Sequence, residues 1–232
     1  MAKERVFSVI GLGIFGMKVC QELSKKGAKV LAIDNHEENV NRAKNSAVQA
    51  ILLDTTNPDL LREVPFQDVD VAIVAIGDNI EASILSTATL KELGIPRIIS
   101  RAVSPLHSRV LNKIGADEVI IVEEEMGSRI ASQIISPDVL DRIPVAENVS
   151  IAEIAINKSI TGLELSEMEI RKKLNLQICG VIRKDVHVNE DGTAISRETF
   201  VFPDDCGKLR ESDTILVAGN NDQIDELTDN IS

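Results

Sequence analysis

Residues 9–17 read "VIGLGIFGM". Three glycines, Gly11, Gly13 and Gly16, fall at G-x-G-x-x-G spacing behind an apolar run. In a strand–turn–helix context each glycine has a separate task. Gly11 makes the tight turn, Gly13 lets the backbone approach a pyrophosphate, and Gly16 lets helix and strand pack closely. The start of the helix then offers free N–H groups and the positive end of its dipole. An anion can thus be held without a cluster of lysines. Asp34 ends the next apolar run, 18 residues after Gly16. A carboxylate there accepts hydrogen bonds from ribose hydroxyls and repels a 2′-phosphate, which disfavours NADP. The stretch therefore predicts an adenine-nucleotide cradle made of Gly11, Gly13, Ile14, Phe15, Gly16, Asp34 and Asn35.

Working outward, short apolar runs alternate with helical patterns over the first 125 or so residues. Strands are predicted at Val6–Ile10, Lys29–Ile33, Ala50–Leu53, Val71–Ile76, Ile98–Ser100 and Val119–Val122. Helices are predicted at Phe15–Lys26, Glu37–Lys44, Pro58–Glu63, Ile80–Leu93 and Pro105–Ile114. Gly27 and Gly94 follow helices, and Asn57-Pro58 supplies a cap and a first-turn proline. This alternation implies an α/β class: a Rossmann-like, doubly wound parallel sheet with right-handed crossovers. Ligands of such sheets lie beyond the carboxyl ends of the strands. That rule nominates Asp54 and Thr55 after the third strand, and Gly77, Asp78 and Asn79 after the fourth. Asp54 and Asn79 also suit helix caps.

A further helix is read from Met126 to Ile135, ended by Pro137. Beyond Pro144 the pattern changes. "VSIAEIAI" at 149–156 alternates with period 2, "LSEMEIRKKL" at 165–174 has helix character, and "LQICGVIR" at 176–183 and "DTILVAG" at 213–219 read as strands. "NEDGT" at 189–193 is a turn signal, and the last ten residues read as a short acidic helix. Two domains follow: 1–140, binding nucleotide, and 145–232, a smaller α+β domain.

Bulk properties exclude several classes. A net charge of −12 argues against nucleic-acid binding and against adsorption to an anionic membrane. The three cysteines, Cys20, Cys179 and Cys206, form no C-x-x-C, so neither a disulfide framework nor a zinc knuckle is expected. The longest apolar runs are too short to span a bilayer, so no direct membrane insertion is expected. With no Tyr in the chain, a Tyr-x-x-x-Lys dehydrogenase is ruled out. His36, His107 and His187 have no carboxylate at motif spacing, and no catalytic motif stands elsewhere. No catalytic residue is assigned. An NAD-dependent oxidoreductase is the alternative reading of the nucleotide fingerprint.

The segments "VIGLGIFGMKV", "LAIDNHEENV", "VAIGDNIEASILSTATLKELGIPRII" and "VLNKIGADEVIIVEEEMGSRIA" together resemble an RCK domain. "GLELSEMEIRKKLNLQICGVIR", "FPDD" and "KLRESDTILVAG" resemble its C-terminal companion, RCK-C or TrkA-C. The chain is thereby identified as a member of the regulatory subunits of Trk/Ktr-type potassium-uptake systems. The resemblance implies a cytosolic protein at the inner face of the membrane. It implies homodimers assembling into a ring, commonly an octamer, beneath a separate potassium-translocating subunit. It implies ATP or ADP as ligand, with NAD(H) the alternative, and gating by ligand exchange. Regulation of another cation transporter is a further alternative.

Residue by residue, it adds Arg101 near the phosphates and Glu123 as a ligand for Mg²⁺ or Ca²⁺. It adds Ile170, Arg171, Asn175 and Ile178 as a second site, for cyclic di-AMP. One position departs from the pattern. Many Ktr-type loops carry arginine between the second and third glycines, where this chain has Ile14.

Overall fold

Six short apolar runs pair side by side into a parallel sheet. In the computed structural model, which describes residues 5–136, 138–165, 168, 170–188 and 194–231, the strands are β1 (Val6–Ile10), β2 (Lys29–Asp34), β3 (Gln49–Leu52), β4 (Val71–Val74), β5 (Ile98–Arg101) and β6 (Glu118–Ile120). The helices between them are α1 (Ile14–Lys25), α2 (Glu37–Ala43), α3 (Pro58–Arg62), α4 (Ile80–Glu92) and α5 (Pro105–Ile114). Each lies within about two residues of its predicted bounds. The doubly wound expectation holds: the order is β3-β2-β1-β4-β5-β6.

Alternation along the strands sends side chains to both faces. Ile10, Leu31, Ile33 and Val74 meet Leu61 and Leu90 on one face. Val9, Val30, Ala32 and Ile73 meet Met17 and Cys20 on the other. Both faces are aliphatic, as a chain with 2% aromatic residues requires. Burying one such side chain contributes about 1.5–3 kcal/mol. The chain runs outward from β1 through β2 to β3, then returns to β4 on the opposite side of β1. The reversal opens a crevice at the carboxyl ends of β1 and β4, and Gly11 follows β1 directly.

The second unit is an antiparallel sheet in the order β10-β9-β11-β8-β7. Its strands are β7 (Val139–Ala146), β8 (Val149–Ala155), β9 (Gln177–Val188), β10 (Ala194–Val201) and β11 (Thr214–Asn220). Helices α7 (Ile170–Leu174) and α8 (Asn221–Ile231) accompany it. Ile154, Leu176, Ile215 and Ile224 form its buried centre. The side chains of Arg183 and Asp213 are 12% and 0% exposed, and they join β9 to the loop before β11. Arg183 makes a two-pronged contact, Nε to Oδ1 at 3.0 Å and Nη2 to Oδ2 at 2.7 Å.

Three differences from expectation have physical reasons. The units divide at Glu125/Met126 rather than between 140 and 145. Val139–Ala146 pairs with β8 across a tight connection, so it is the first strand of the second sheet. The helix read from Met126 is α6 (Val122–Ile135), whose first turn holds Glu123, Glu124 and Glu125. Negative charge is favoured there by the helix dipole. β10 was not legible, because "AISRETFV" interleaves charge with apolar residues as an edge strand does. The break at Pro137, the turn at 189–193 and part of the helix at 165–174 lie outside the described residues.

Candidate functional site

A cleft of about 1270 Å³ opens at the carboxyl end of the parallel sheet. Its walls are the β1–α1 loop, the ends of β2, β3 and β4, and Arg101 of β5. Of the residues nominated in the first unit, Gly11, Gly13, Ile14, Phe15, Asp34, Asn35, Asp54, Thr55, Gly77, Asp78, Asn79 and Arg101 all line it. Gly16 does not. Gly16 lies behind the loop, where a Cβ would come within 1.9 Å of the Gly11 carbonyl oxygen.

The loop geometry separates the three glycines by role. Gly11 takes a φ of +88°, a left-handed conformation that side chains rarely adopt. Its N–H donates to the Ile33 carbonyl at 2.8 Å, locking the turn to β2. Gly13 is the extended residue ahead of α1, and no side chain caps it. A Cβ on Gly13 would meet no protein atom within 4 Å, so its open side faces the cleft. The first N–H groups of α1 are therefore presented to whatever lies there.

Asp34 is 7% exposed. Its Oδ2 accepts the Leu12 N–H at 2.5 Å, and its Oδ1 accepts the His36 N–H at 2.7 Å and Asn39 Nδ2 at 3.2 Å. The carboxylate thus ties the glycine loop to the start of α2 while it lines the cleft. Asp54 Oδ1 accepts the Thr56 N–H at 2.9 Å and the Thr56 hydroxyl at 2.7 Å. The Thr56 backbone N–H, then its hydroxyl, hold that carboxyl below the usual aspartate value. Thr55 beside it is buried. Asn79 caps α4, its Oδ1 accepting the Ala82 N–H at 3.0 Å. It also faces the cleft, so capping and lining coincide in one residue.

Arg101 is 20% exposed at the end of β5. Its guanidinium lies 5.8 Å from the Phe15 ring centroid. On another side is Gly77, where a Cβ would stand 2.6 Å from Nη1. Nη2 donates to Glu123 Oε1 in the first turn of α6. Glu123 is held below the usual glutamate value first by its own backbone N–H and then by Arg101. Among the described residues, no three His, Cys, Asp or Glu side chains gather to hold a metal. The carboxylate nominated for a cation is paired with an arginine.

Sequence reasoning missed Lys18, His36 and Asn39 as lining residues. Lys18 was readable, because it follows Ile14 by one helical turn and so shares its face. It pairs with Glu22 at 2.8 Å. Asn39 reaches the site by bonding Asp34, which no spacing announces.

In the second unit, Ile170 is buried at 3% exposure and begins α7. Asn175 follows α7 with a φ of +51°, and Ile178 packs against the core from β9. The Arg171 side chain lies outside the described residues. Ile170 and Ile178 therefore have core-packing roles.

Among the described residues no helix is long and apolar enough to cross a membrane. Comparison with known proteins gives a consistent picture. Residues 7–122 match the model of the TrkA-N domain. The chain is 37% identical over 220 residues to the Ktr system potassium uptake protein C of Bacillus subtilis, spanning 95% of this chain and 93% of that one. It is 33% identical over 221 residues to the Ktr system potassium uptake protein A of Vibrio alginolyticus, spanning 95% of each. Among solved structures, the GsuK channel superposes with a TM-score of 0.67 at 17% identity, over 100% of this chain and 40% of that one. A GsuK channel bound to NAD superposes with a TM-score of 0.60 at 16% identity, over 96% of this chain and 38% of that one. The structural likeness supports the fold, and the sequence likeness over nearly the whole length decides the family: the chain belongs to the Ktr-type potassium uptake proteins that carry a TrkA-N domain.

Proposed function

We propose that the chain is a nucleotide-sensing regulatory subunit of a potassium-uptake system, acting by binding rather than by catalysis. The observation that carries this reading is the cleft itself, with Gly11, Gly13 and Asp34 arranged at the switch point. The ligand is an adenine nucleotide. ATP and ADP are the leading candidates, and NAD(H) is the alternative, since the NAD-bound GsuK channel shares the fold.

The subunit works as a homodimer within a ring, an octamer in its complete form, docked on a separate membrane-embedded potassium-translocating protein. This places it at the cytoplasmic face. Exchange of one nucleotide for another shifts the ring between shapes, by as much as the two ligands differ in affinity for each shape. ATP and ADP share most contacts, so the discriminating contacts are those to the terminal phosphate. Glu123 is the residue proposed to accept Mg²⁺ or Ca²⁺ there, through hard oxygen donors. Ile170, Arg171, Asn175 and Ile178 are proposed as a second site, for cyclic di-AMP, in which a planar guanidinium suits a phosphate.

The decisive experiment is calorimetry of the purified full chain with ATP, ADP and NADH, joined to potassium uptake in cells lacking the protein. Micromolar binding with loss of regulated uptake is the expected result. Absence of binding to all three removes the sensing role. Substrate-dependent NADH turnover would favour an oxidoreductase instead.

A further inference from the structure

Lys18 sits where α1 has little structural use for it. It lies in the second turn, the half of the helix nearer the positive end of the dipole, which favours anions over cations. Its ion pair with Glu22, Nζ to Oε1 at 2.8 Å, runs from i to i+4 with the lysine first. The reverse order is the more stabilising one. Glu22 does not depend on Lys18. Lys25 reaches the same oxygen at 3.0 Å from the last turn, where a cation is favoured. Lys25 alone can hold that carboxylate.

The cleft supplies a use. Lys18 lines it, and neither Glu22 nor Lys25 does. Lys18 follows Ile14 by four residues and so shares its face of the helix. Side chains on a helix lean toward its N-terminus, and a lysine stem is long and flexible. At 64% exposure, Lys18 is free to turn from Glu22 toward the first N–H groups of α1. Ile14 and Phe15 there are apolar, and the first turn holds no acidic residue. The other basic side chains lining the cleft are engaged: Arg101 with Glu123, and His36 beside Asp34. The carboxylates lining it are Asp34, Glu37, Glu38, Asp54 and Asp78. A chain of phosphates adds more negative charge to that set. A cation able to move is what such a ligand requires.

We propose that Lys18 is a mobile phosphate-binding residue of the cleft, leaving Glu22 to Lys25 and pairing with the terminal phosphate of a nucleoside polyphosphate. The helix N-terminus then holds the inner phosphates through backbone N–H groups, and Lys18 supplies the charge that Ile14 lacks. The residue contributes to selectivity among adenine nucleotides. A ligand that ends in a phosphate chain engages it, and one whose phosphates lie between two ribosyl groups does not. The inference rests on the proposed nucleotide-binding role and deepens it.

The test is calorimetry of the full chain with AMP, ATP and NADH at fixed ionic strength, on wild type, Lys18→Met, Lys18→Arg, Lys25→Met and Glu22→Gln. Methionine keeps the helix propensity and the apolar stem, so Lys18→Met is expected to unfold at the wild-type midpoint. It is expected to weaken ATP about tenfold, the scale of one charge-assisted hydrogen bond. AMP and NADH are expected to stay within about twofold, since an exposed charge without a direct contact is screened. Lys25→Met removes the same charge from the same helix outside the cleft and is expected to leave ATP within about twofold. Lys18→Arg keeps the charge and is expected to retain most of the ATP affinity. Glu22→Gln removes the competing carboxylate and is expected to tighten ATP about twofold, the scale of an exposed helix pair. An ATP affinity unmoved by Lys18→Met would overturn the proposal. So would equal weakening of AMP and ATP, which would place Lys18 away from the terminal phosphate. Equal loss in Lys25→Met would show a general charge effect, and equal loss in Lys18→Arg a packing effect, and either overturns it. An unchanged affinity in Glu22→Gln would overturn the exchange of partners. No binding of any nucleotide by wild type would instead sink the nucleotide-sensing role itself, a distinct outcome.

Discussion

Ile14 begins α1 with its side chain 96% exposed, inside the cleft and beside the first free N–H groups of the helix. An isoleucine there offers a phosphate no charge. Ile14→Arg is expected to leave folding stability within about 0.5 kcal/mol, since the residue packs on little. It is expected to raise the ATP-over-ADP affinity ratio about five- to tenfold, the range of one charge-assisted hydrogen bond. Titration calorimetry with both nucleotides checks it, and an unchanged ratio would mean the terminal phosphate lies elsewhere. A second residue predicts a pH effect. His107 is 4% exposed, its Nδ1 accepts the Val103 N–H at 3.4 Å, and its Nε2 is buried without a partner among the described residues. Burial pushes its pKa below the ordinary 6.5. The unfolded chain therefore takes up this proton before the folded one does. The contribution is fully present above about pH 6.5 and is lost as pH falls from there toward the lower folded value. Denaturant midpoints between pH 7.5 and 5 are expected to decline less in His107→Asn than in wild type. At this scale the sequence announced the residues whose roles depend on spacing, Gly11, Gly13, Gly16 and Asp34. It did not announce that Asn39 bonds Asp34 or that His107 is buried, because those depend on tertiary packing.

The β1–α1 junction shows how one element can be cut into separable functions. A Cβ at Gly16 would fall 1.9 Å from a backbone oxygen of Gly11, which cannot swing aside as a side-chain tip could. A Cβ at Gly13 would meet nothing within 4 Å. Gly16→Ala is therefore expected to destabilise the first unit by about 1–3 kcal/mol, as overpacking does. Gly13→Ala is expected to unfold at the wild-type midpoint yet bind nucleotide at least tenfold more weakly, its methyl standing where a phosphate passes. Denaturant unfolding paired with calorimetry separates the two, and equal loss of stability in both would refute the division of roles. Elements of the first unit were legible because buried parallel strands are continuous apolar runs, and three of its helices carried their own punctuation. Asn57 and Asn79 cap, Pro58 and Pro105 open a first turn, and Gly115 closes α5 in a left-handed conformation. The second unit was harder to read. An antiparallel edge strand such as β10 carries Arg197 and Glu198 among its residues and gives no clean alternation. The boundary between the units is blurred in sequence for a related reason. β7 contains Pro144, which favours a turn in local sequence, yet edge strands tolerate proline.

At the scale of the whole chain, the helix α6 buries none of its residues. Met126, Ile130 and Ile134 recur every four residues along it, at 45%, 50% and 73% exposure, with Ile135 at 81%. In sequence, such a stripe reads either as a contact between subunits or as core facing its own domain. In the folded single chain it is exposed, so core packing within the chain does not explain it. A contiguous apolar stripe on a chain of net charge −12 is a poor solvent-facing surface and marks a place of association. Under the proposed ring architecture, the occupant of this stripe is the same helix of a second copy. Ile134→Asp then places a carboxylate in the centre of that contact, where it is desolvated without a partner. The substituted chain is expected to keep its unfolding midpoint within about 0.5 kcal/mol, because Ile134 supports little in the isolated fold. Its mass by multi-angle light scattering at micromolar concentration is expected to fall to that of a smaller species. If binding needs the assembled form, nucleotide affinity falls with it, and if each cleft is self-sufficient it does not. An unchanged mass would remove α6 from the interface and leave the stripe to another partner.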